Sequence, residues 1–360
     1  MSVESVVLSR PPAPGPRLHD AERFCREILP HVSRTFAISI RALPGRLGTA
    51  VLTSYLLCRI ADTVEDDPVA PVDRKVQLFE ELVLCFDDPS VADNYPESVA
   101  ELVGSADHLR LVRHSHYVFA VYRSLPARSR EHVRHWVTEM VRGMEKFVQR
   151  YPQGIRIQTV PEYREYCYYV AGTVGYLLTE LWHEHAPSIG RREYAALGER
   201  CGAFGEALQT INILKDIAWD AERENSIYIP DEALSAHGSG HETLLSPEHV
   251  GRNRAALSTF MELAQGGLHD ALEYVLLIPR RAFPIRVFCA LPVLFAYATM
   301  RDLAASTAML RAGGAVKISR PEVRALSLIG PLAVSSNRVF RRLVERVGRA
   351  PLTLTPALSR

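Results

Sequence analysis

The chain contains 360 residues, which is enough for one large domain or two smaller ones. Hydrophobic residues make up 47% and charged residues 23% of it, a composition that excludes disorder of the whole chain. With 42 Lys and Arg against 41 Asp and Glu, the net charge of +1 gives no general reason to expect a nucleic acid as partner.

The N-terminal segment is rich in proline, and the rest of the chain has the sequence pattern of helices. Four prolines between residues 11 and 16 predict that residues 1–18 are disordered. After them, apolar residues recur with the 3.6-residue period, and no Asn-Gly or Asp-Gly hairpin turn occurs. We therefore expect a single all-α domain over 19–350 and a C-terminal tail over 351–360. Loops are predicted near residues 87–96, 151–161, 187–190 and 235–251.

Neither a secretory signal nor a membrane-spanning helix is predicted. The first ten residues lack a cationic segment followed by an apolar one, and the uncharged stretch 287–300 is too short to cross a bilayer. The six cysteines occur singly, without the spacing of metal ligands. We interpret them as reduced thiols of a cytoplasmic protein.

Two pairs of carboxylates have the four-residue spacing of one helix face. An early helical run contains Asp62 and Asp66, with Glu65 beside them, and a later run contains Asp216 and Asp220. Like charges at this spacing destabilise an isolated helix by roughly a few tenths of a kcal/mol. Each of these helices therefore needs a compensating cation.

If the two helices face each other, their carboxylates form an oxygen-rich site that suits Mg²⁺. Arg59 lies one turn before the first pair and Lys215 beside the second, and cations next to such a site indicate diphosphate binding. The alternative is that each pair lies on a solvated helix face, which is the commoner situation for acids four residues apart. Spacing alone leaves both interpretations open.

Six blocks of sequence, taken in order, resemble the squalene and phytoene synthase family of head-to-head prenyl transferases. They are SRTFAISIRALP (33–44), YLLCRIADTVEDD (55–67), YCYYVAGTVGYLLTELW (166–182), LQTINILKDIAWD (208–220), RVFCALPVLFAYAT (286–299) and GAVKIS (314–319). The resemblance implies an all-α, single-domain helical bundle of the class I isoprenoid synthase type around a central apolar channel.

The blocks VFCALP and GAVKI resemble the NADPH-using squalene synthases more than the carotenoid branch of the family. The resemblance then implies that two farnesyl diphosphates condense to presqualene diphosphate, which is converted to squalene with hydride from NADPH. No GxGxxG follows a strand, so NADPH would bind at helix ends and basic residues such as Lys317.

Several other functions stay open. Within the family they are phytoene or dehydrosqualene synthase, and an enzyme that stops at presqualene diphosphate. Outside the family they are a magnesium-dependent phosphohydrolase and a non-catalytic helical binding protein.

The resemblance also implies roles for individual residues. The magnesium ligands would be Asp62, Glu65, Asp66, Asp216 and Asp220. Tyr169 matches the tyrosine assigned to proton transfer in the first stage, and Phe288 matches an aromatic residue associated with the second. These two, with the four aspartates, form the predicted catalytic set. The substrate-binding residues would be Ser33, Arg34, Phe36, Tyr55, Arg59, Gln209, Asn212, Lys215 and Arg223.

One position departs from the family pattern. Where the family usually has Glu just before the last Asp of its second motif, this chain has Trp219, whose indole cannot bind Mg²⁺. Lys215 stands where Arg is commoner, and it keeps a positive charge but loses the bidentate geometry. These two departures leave the identity of the product open, whereas the predicted fold does not depend on them.

A basic, amphipathic helix is predicted near the C-terminus, over residues 337–349. Val339, Phe340, Leu343, Val344 and Val347 form its apolar stripe, and residues 311–360 contain ten basic against two acidic side chains. Such a helix could rest on an anionic membrane, where an insoluble product would be released. The alternative is a terminal helix docked by its apolar stripe, with a solvated basic face.

Overall fold

The computed structural model describes residues 16–353. Most of the predicted disordered segment 1–18, and residues 354–360 of the predicted tail, lie outside the described residues. Within 16–353 the chain forms helices and one isolated parallel bridge, between Arg156 and Ile227, so the all-α prediction is confirmed.

The α-helices follow one another with short connections. In the first half of the chain they are α1 (Leu18–Val32), α2 (Arg34–Arg41), α3 (Gly45–Glu65), α4 (Val72–Leu84), α5 (Pro89–Ser98), α6 (Ala106–Val112), α7 (Ser115–Ser124), α8 (Ala127–Arg150) and α9 (Val160–Cys167). A π-turn, Tyr168–Gly172, joins α9 to the second half, which contains α10 (Thr173–His185), α11 (Arg191–Gly198), α12 (Cys201–Arg223), α13 (Asp231–Ser235), α14 (Val250–Leu277), α15 (Phe283–Ala304), α16 (Arg320–Ala333) and α17 (Asn337–Arg349).

The predicted loop at 87–96 is wrong, because most of it is helix α5. The Asp88 side chain accepts a hydrogen bond from the Ser90 backbone N–H at 2.8 Å, and Pro89 occupies the first helical turn. This is the arrangement of an N-cap followed by proline, so the same residues that suggested a loop begin a helix. The segments 151–159 and 187–190 contain no helix, as predicted, and α9 and α11 begin after them at Val160 and Arg191. The predicted loop 235–251 contains two short 3₁₀ turns.

The centre of the bundle is made by α3, α10, α12 and α15. Two of these, α3 and α15, are long and apolar enough by length and composition to cross a membrane, which differs from the expectation of no such helix. In each of them 78% of the most apolar 18-residue window is buried inside the protein. That burial is what the core helices of a bundle require.

The central helices cross closely because glycines stand at their contact. A Cβ atom built on Gly175 of α10 would lie 1.9 Å from the carbonyl oxygen of Cys201. One built on Gly205 of α12 would lie 2.1 Å from the carbonyl oxygen of Ala171, in the π-turn. No side chain fits at either position without moving a backbone, so the glycines set the separation of α10 and α12.

Substitution of Gly205 by Ala is therefore expected to destabilise the protein by about 1–3 kcal/mol, because the methyl group forces the two backbones apart. Gly266→Ala is the matched control, since nothing lies within 4 Å of a Cβ at that position of α14. There we expect a neutral effect or a gain of about 0.5–1 kcal/mol. Chemical denaturation measures both, and equal stabilities of the two variants would refute the packing argument.

The apolar stripe of the C-terminal helix α17 faces the protein interior. Phe340, Val344 and Val347 are buried, and α17 packs on α15 and α16. On its outer side Arg341 forms an ion pair with Glu273, at 2.6 Å. Phe340, Val344 and Val347 therefore form the docking face of a terminal helix, whereas Val339 of the same stripe is 50% exposed.

Candidate active site

One face of α3 carries a series of polar and aromatic side chains that ends at the first carboxylate pair. The rings of Phe36, from α2, and Tyr55 lie 5.5 Å apart. The guanidinium of Arg59 lies over the Tyr55 ring at 5.8 Å from its centre, and its Nη1 is 3.1 Å from Oδ2 of Asp62. The predicted substrate-binding residues of α3 therefore lead directly to a predicted metal ligand.

The same face of α3 lines a cavity further toward the helix start. The cavity has a volume of about 860 Å³ and lies between α1, α2, the start of α3 and the α7–α8 connection. Its walls combine apolar side chains (Leu29, Ile40, Leu43, Leu52 and Leu125) with the charged side chains of Glu22, Arg26, Arg41 and Arg46. Leu52 is ten residues before Asp62, or about 15 Å along the helix. A partly apolar cavity and an acidic end thus share one side of α3.

At the end of α3, Glu65 is buried, and Asp62 and Asp66 are partly buried. The backbone N–H of Asp66 donates to the carbonyl of Asp62 at 2.8 Å and closes the helix. The Tyr166 hydroxyl donates to Oε2 of Glu65 at 3.4 Å, whereas Oε1 of Glu65 is buried without a hydrogen-bond partner in the structure. Asp67, the next acid, has a structural role, because its carboxylate accepts the backbone N–H groups of Val69 and Ala70 in the following loop and of Val103 before α6.

The second acidic segment is the last part of α12. Asp216 contacts the ammonium group of the neighbouring Lys215, and Asp220 follows one turn later. The helix ends at Arg223, and Asn225, with a φ of 49°, turns the chain away. Glu224, between them, continues the four-residue spacing and brings a third carboxylate to this face of the helix.

The two acidic segments lie close enough to shift the pKa values of each other's carboxyl groups. Burial raises the pKa of Asp66 well above its usual value, and the charges of Glu224 and Glu65 raise it further. Burial, with the charge of Asp62, raises the pKa of Glu65 to about 8. Burial and the neighbouring Glu224 raise the pKa of Asp220 to about 9. Through Glu224 the end of α12 therefore lies near the end of α3, whereas the meeting of Asp62 and Asp66 with Asp216 and Asp220 stays a prediction.

The donor set fits a magnesium ion. The ends of α3 and α12 carry six carboxyl groups, with the cations Arg59, Lys75 and Lys215 near them, and one buried carboxylate oxygen, Oε1 of Glu65, has no hydrogen-bond partner. Among residues 16–353, no three acidic, His or Cys side chains converge as a ready-made metal site. Carboxylates repel one another without a cation, and Mg²⁺ keeps several waters or phosphate oxygens of its own. Oxygen donors of this kind therefore suit Mg²⁺ bound together with a diphosphate.

The raised pKa values predict how pH and Mg²⁺ affect stability. A carboxyl group whose pKa is raised by folding adds stability at pH values below its ordinary pKa, and this stability is lost as the pH rises through the folded value. Without divalent ions, the melting temperature should fall between pH 6 and pH 9 because Glu65 and Asp220 ionise there. Mg²⁺ should stabilise the protein more at pH 9 than at pH 6. Thermal melts with and without Mg²⁺ test this, and a magnesium effect that does not depend on pH would contradict it.

Glu224 is the site residue that the sequence interpretation missed. Burial raises its pKa, whereas hydrogen bonding from the Trp219 side chain lowers it. Trp219 itself is largely exposed, and the guanidinium of Arg223 lies 5.5 Å from the centre of its ring. The second motif has no acid at position 219, and Glu224 provides one five residues later. The four-residue spacing of Asp216, Asp220 and Glu224 is the sequence signal that could have identified it.

We expect Glu224→Gln to weaken Mg²⁺ binding by roughly five- to tenfold, because the cluster loses one negative charge. Trp219→Glu in the same variant should restore binding by returning a carboxylate to the usual family position. Isothermal titration with Mg²⁺ and a non-hydrolysable diphosphate measures both effects. Glu262→Gln, an exposed change on α14, is the control. Wild-type affinity in Glu224→Gln would remove this residue from the site.

The other predicted residues of the site fall into two groups. On α12, Gln209 and Asn212 precede Asp216 by two turns and one turn, on the same side of the helix. Tyr169 lies on the π-turn, three residues after Tyr166, with its ring against Gly143 of α8. These positions are compatible with the predicted roles.

The remaining predicted residues have evident structural surroundings. The Ser33 hydroxyl caps α2 by accepting the backbone N–H of Phe36 at 3.2 Å, and Arg34 is the first residue of that helix. Phe288 is buried, with its ring edge-on to Trp182 at 5.3 Å. Lys317 is exposed in the connection before α16. That connection is held near the end of α12, since the N–H of Gly313 donates to the Glu222 carboxylate at 3.1 Å.

Comparison with known proteins relates this arrangement to one family. The family described as squalene/phytoene synthase matches residues 29–322 of the chain. Squalene synthase 1 of Arabidopsis thaliana is 29% identical over 279 residues, which make up 77% of this chain and 64% of the relative. The chain thus spans a little less than two thirds of the length of that relative.

Solved structures show the same fold. The complex of TcSQS with the ligand BPH1237 has a TM-score of 0.78 at 23% identity, and the match covers 91% of this chain and 90% of that chain. A dehydrosqualene synthase in complex with a ligand has a TM-score of 0.51 at 18% identity, over 92% of this chain and 96% of that one.

Proposed function

Because the chain belongs to the squalene/phytoene synthase family, we propose that it condenses two farnesyl diphosphates head to head, through presqualene diphosphate, to squalene. NADPH supplies the hydride for the last stage. The observation that carries this proposal is the proximity of the acidic ends of α3 and α12, with a partly apolar cavity about 15 Å away along α3. That combination suits a substrate with a diphosphate head and a long hydrocarbon tail.

Different residues at the acidic helix ends would bind the metal and the diphosphates. Asp62, Asp66, Asp216 and Asp220, with Glu65, would hold Mg²⁺. Mg²⁺, when bound, stabilises the charge that develops on the departing diphosphate. Arg59 and Lys215 contact carboxylates of the cluster and are placed to bind phosphate oxygens, with Arg34 and Arg223 as further candidates.

The apolar side of the site would protect a cation from water. Tyr55 and Phe36 would provide aromatic surface near the acidic end of α3, and the leucines of the cavity would provide aliphatic surface further along the helix. Aromatic faces stabilise a neighbouring cation by roughly 0.5–2 kcal/mol each. Tyr169 would take part in the proton transfer of the first stage, and Phe288 would act in the second stage.

Sequence features of the chain point to more than one final product. The blocks VFCALP and GAVKI favour reduction, and the loop with Lys317 lies near the end of α12, where NADPH would have to reach the intermediate. Trp219 favours a different product, because it alters the second acidic motif. Dehydrosqualene, phytoene or presqualene diphosphate are therefore the products of the alternative proposals. We place the enzyme in the cytoplasm, at the membrane surface.

Incubation with farnesyl diphosphate, Mg²⁺ and NADPH, followed by extraction and mass spectrometry, tests these proposals. We expect squalene with NADPH, and its loss without NADPH. Dehydrosqualene or presqualene diphosphate in the presence of NADPH would replace the proposal by the non-reducing alternatives. Farnesol would indicate a phosphohydrolase, and unchanged substrate would indicate a non-catalytic binding protein.

A further inference from the structure

Trp219 and Arg223 form an exposed pair at the end of α12. Trp219 is 57% exposed, and the centre of its ring lies 5.5 Å from the guanidinium carbon of Arg223. Trp219 comes three residues after Asp216, and Arg223 comes four residues after Trp219, so the three side chains follow one side of the helix. The pair therefore continues the row of predicted site residues on α12.

Arg223 differs from the other three cations described near the acidic helix ends. Each of those three has an oxygen partner in the protein: Arg59 has Asp62, Lys215 has Asp216, and Lys75 has the backbone carbonyl of Glu65. Within residues 16–353, the guanidinium of Arg223 forms no ion pair and no hydrogen bond, and it contacts the face of Trp219. Its positive charge is therefore held in place without being neutralised.

An aromatic ring is a suitable support for a cation that has to bind something else. The ring face attracts the guanidinium without occupying its N–H groups in ordinary hydrogen bonds, so all five donors of Arg223 stay available. Two of these donors match two oxygens of one phosphate group. The contact also restricts a long, exposed side chain that would otherwise sample many rotamers.

The indole of Trp219 is linked to the carboxyl groups as well. It donates a hydrogen bond to Glu224, whose carboxyl group interacts with the charges of Asp216 and, on α3, of Asp62. The Trp219–Arg223 pair thus lies beside the carboxyl groups that are predicted to hold Mg²⁺. A phosphate oxygen at Arg223 and another at the metal could belong to the same diphosphate.

We propose that Trp219 positions Arg223 to bind a diphosphate directly, so that an arginine provides part of the positive charge that magnesium would otherwise supply. Trp219 stands where the family usually has Glu, so the chain exchanges a negative side chain for one that supports a cation. The inference rests on the proposed function, because it assumes a diphosphate at the ends of α3 and α12. It adds that part of the binding does not need a metal.

Isothermal titration of the full chain with inorganic pyrophosphate in EDTA tests the pair. The wild type should bind without Mg²⁺, and Arg223→Gln should bind at least about tenfold more weakly. Trp219→Leu should weaken binding by about three- to fivefold, whereas Trp219→Tyr keeps an aromatic face and should stay within about twofold of the wild type. Arg324→Gln, an exposed change on α16, is the control and should have no effect.

The double variant shows whether Trp219 acts through Arg223. If it does, Trp219→Leu/Arg223→Gln should bind pyrophosphate no more weakly than Arg223→Gln alone. Trp219→Glu should weaken binding in EDTA, because the new carboxylate pairs with the arginine four residues later, and should strengthen it with Mg²⁺ by adding an oxygen ligand. Losses that simply add would contradict a positioning role.

The fluorescence of Trp219 gives a second readout. Of the three tryptophans, Trp182 is fully buried and Trp136 is partly buried, so quenching by acrylamide reports mainly on Trp219. Pyrophosphate in EDTA should reduce this quenching in the wild type and in Arg324→Gln, and it should have no effect in Trp219→Tyr. A structural surface pair would show no such protection.

Two results would overturn the inference and leave the proposed function intact. One is a wild type that binds pyrophosphate only with Mg²⁺, and the other is equal affinity of Trp219→Leu and the wild type in EDTA. Absence of pyrophosphate binding by the wild type even with Mg²⁺ would refute the proposed diphosphate site and this inference together.

Discussion

Replacement of Asp62 or Asp216 by Asn is expected to lower turnover of farnesyl diphosphate by about a thousandfold or more, while the protein stays folded. Asp62→Asn removes a negatively charged oxygen donor from α3, and Asp216→Asn removes one from α12. In either variant the diphosphate would lose the Mg²⁺ that stabilises its departure. Asp62 also anchors Arg59 at 3.1 Å, so this variant should in addition loosen a phosphate-binding side chain. Steady-state assays over a range of Mg²⁺ concentrations measure the loss.

The structural control for these variants is the melting temperature without Mg²⁺. Because burial raises the pKa of Asp62, removal of its charge should leave the magnesium-free protein as stable as the wild type or more stable. The stabilisation by Mg²⁺ should disappear in both variants. Normal turnover in either variant would refute its assignment as a magnesium ligand.

Tyr169→Phe should reduce formation of presqualene diphosphate by about 10²- to 10⁴-fold, because positioned acid–base groups contribute about that much to a proton transfer. The ring would stay in place, since it packs against Gly143 and lies 5.8 Å from the ammonium nitrogen of Lys146. The variant therefore removes only the hydroxyl. Rapid quenching with detection of the cyclopropyl intermediate measures this step separately from the second stage.

Tyr168→Phe is the matched control for this experiment. Its ring touches that of Tyr169 edge-on at 5.2 Å, so the two variants change neighbouring hydroxyls in the same π-turn. We expect Tyr168→Phe to form the intermediate at a rate within a few-fold of wild type. Equal rates in Tyr169→Phe would show that its hydroxyl takes no part in the first stage.

The fold was largely predictable from the sequence, because apolar periodicity records which helix faces are buried. The errors have local causes. Helix α5 was taken for a loop, since Asp88 and Pro89 are common in turns and equally common at helix starts. For α17 the sequence left a docked and a membrane-binding helix open, because both use the same residue pattern, and the structure shows that Phe340, Val344 and Val347 are buried.

The site was predictable where a motif or a spacing defined it. The four aspartates and Glu65 lie at the ends of α3 and α12, where the spacing put them, and their joint role as magnesium ligands stays a prediction. Glu224 was missed because it lies beyond the motif, although it continues the spacing of Asp216 and Asp220. The cavity beside Leu52 was not predictable, because its walls come from four separate parts of the chain. The roles of Tyr169 and Phe288 stay predictions until their variants are measured.

The location of bound divalent ions tests the central claim most directly. Crystals grown with Mn²⁺ in place of Mg²⁺ and with an unreactive farnesyl thiodiphosphate would show the ions by anomalous diffraction. The account predicts ions within about 2.0–2.3 Å of carboxylates from both α3 and α12, with the diphosphate between them. Ions bound to one helix only, or a diphosphate bound away from both, would contradict it.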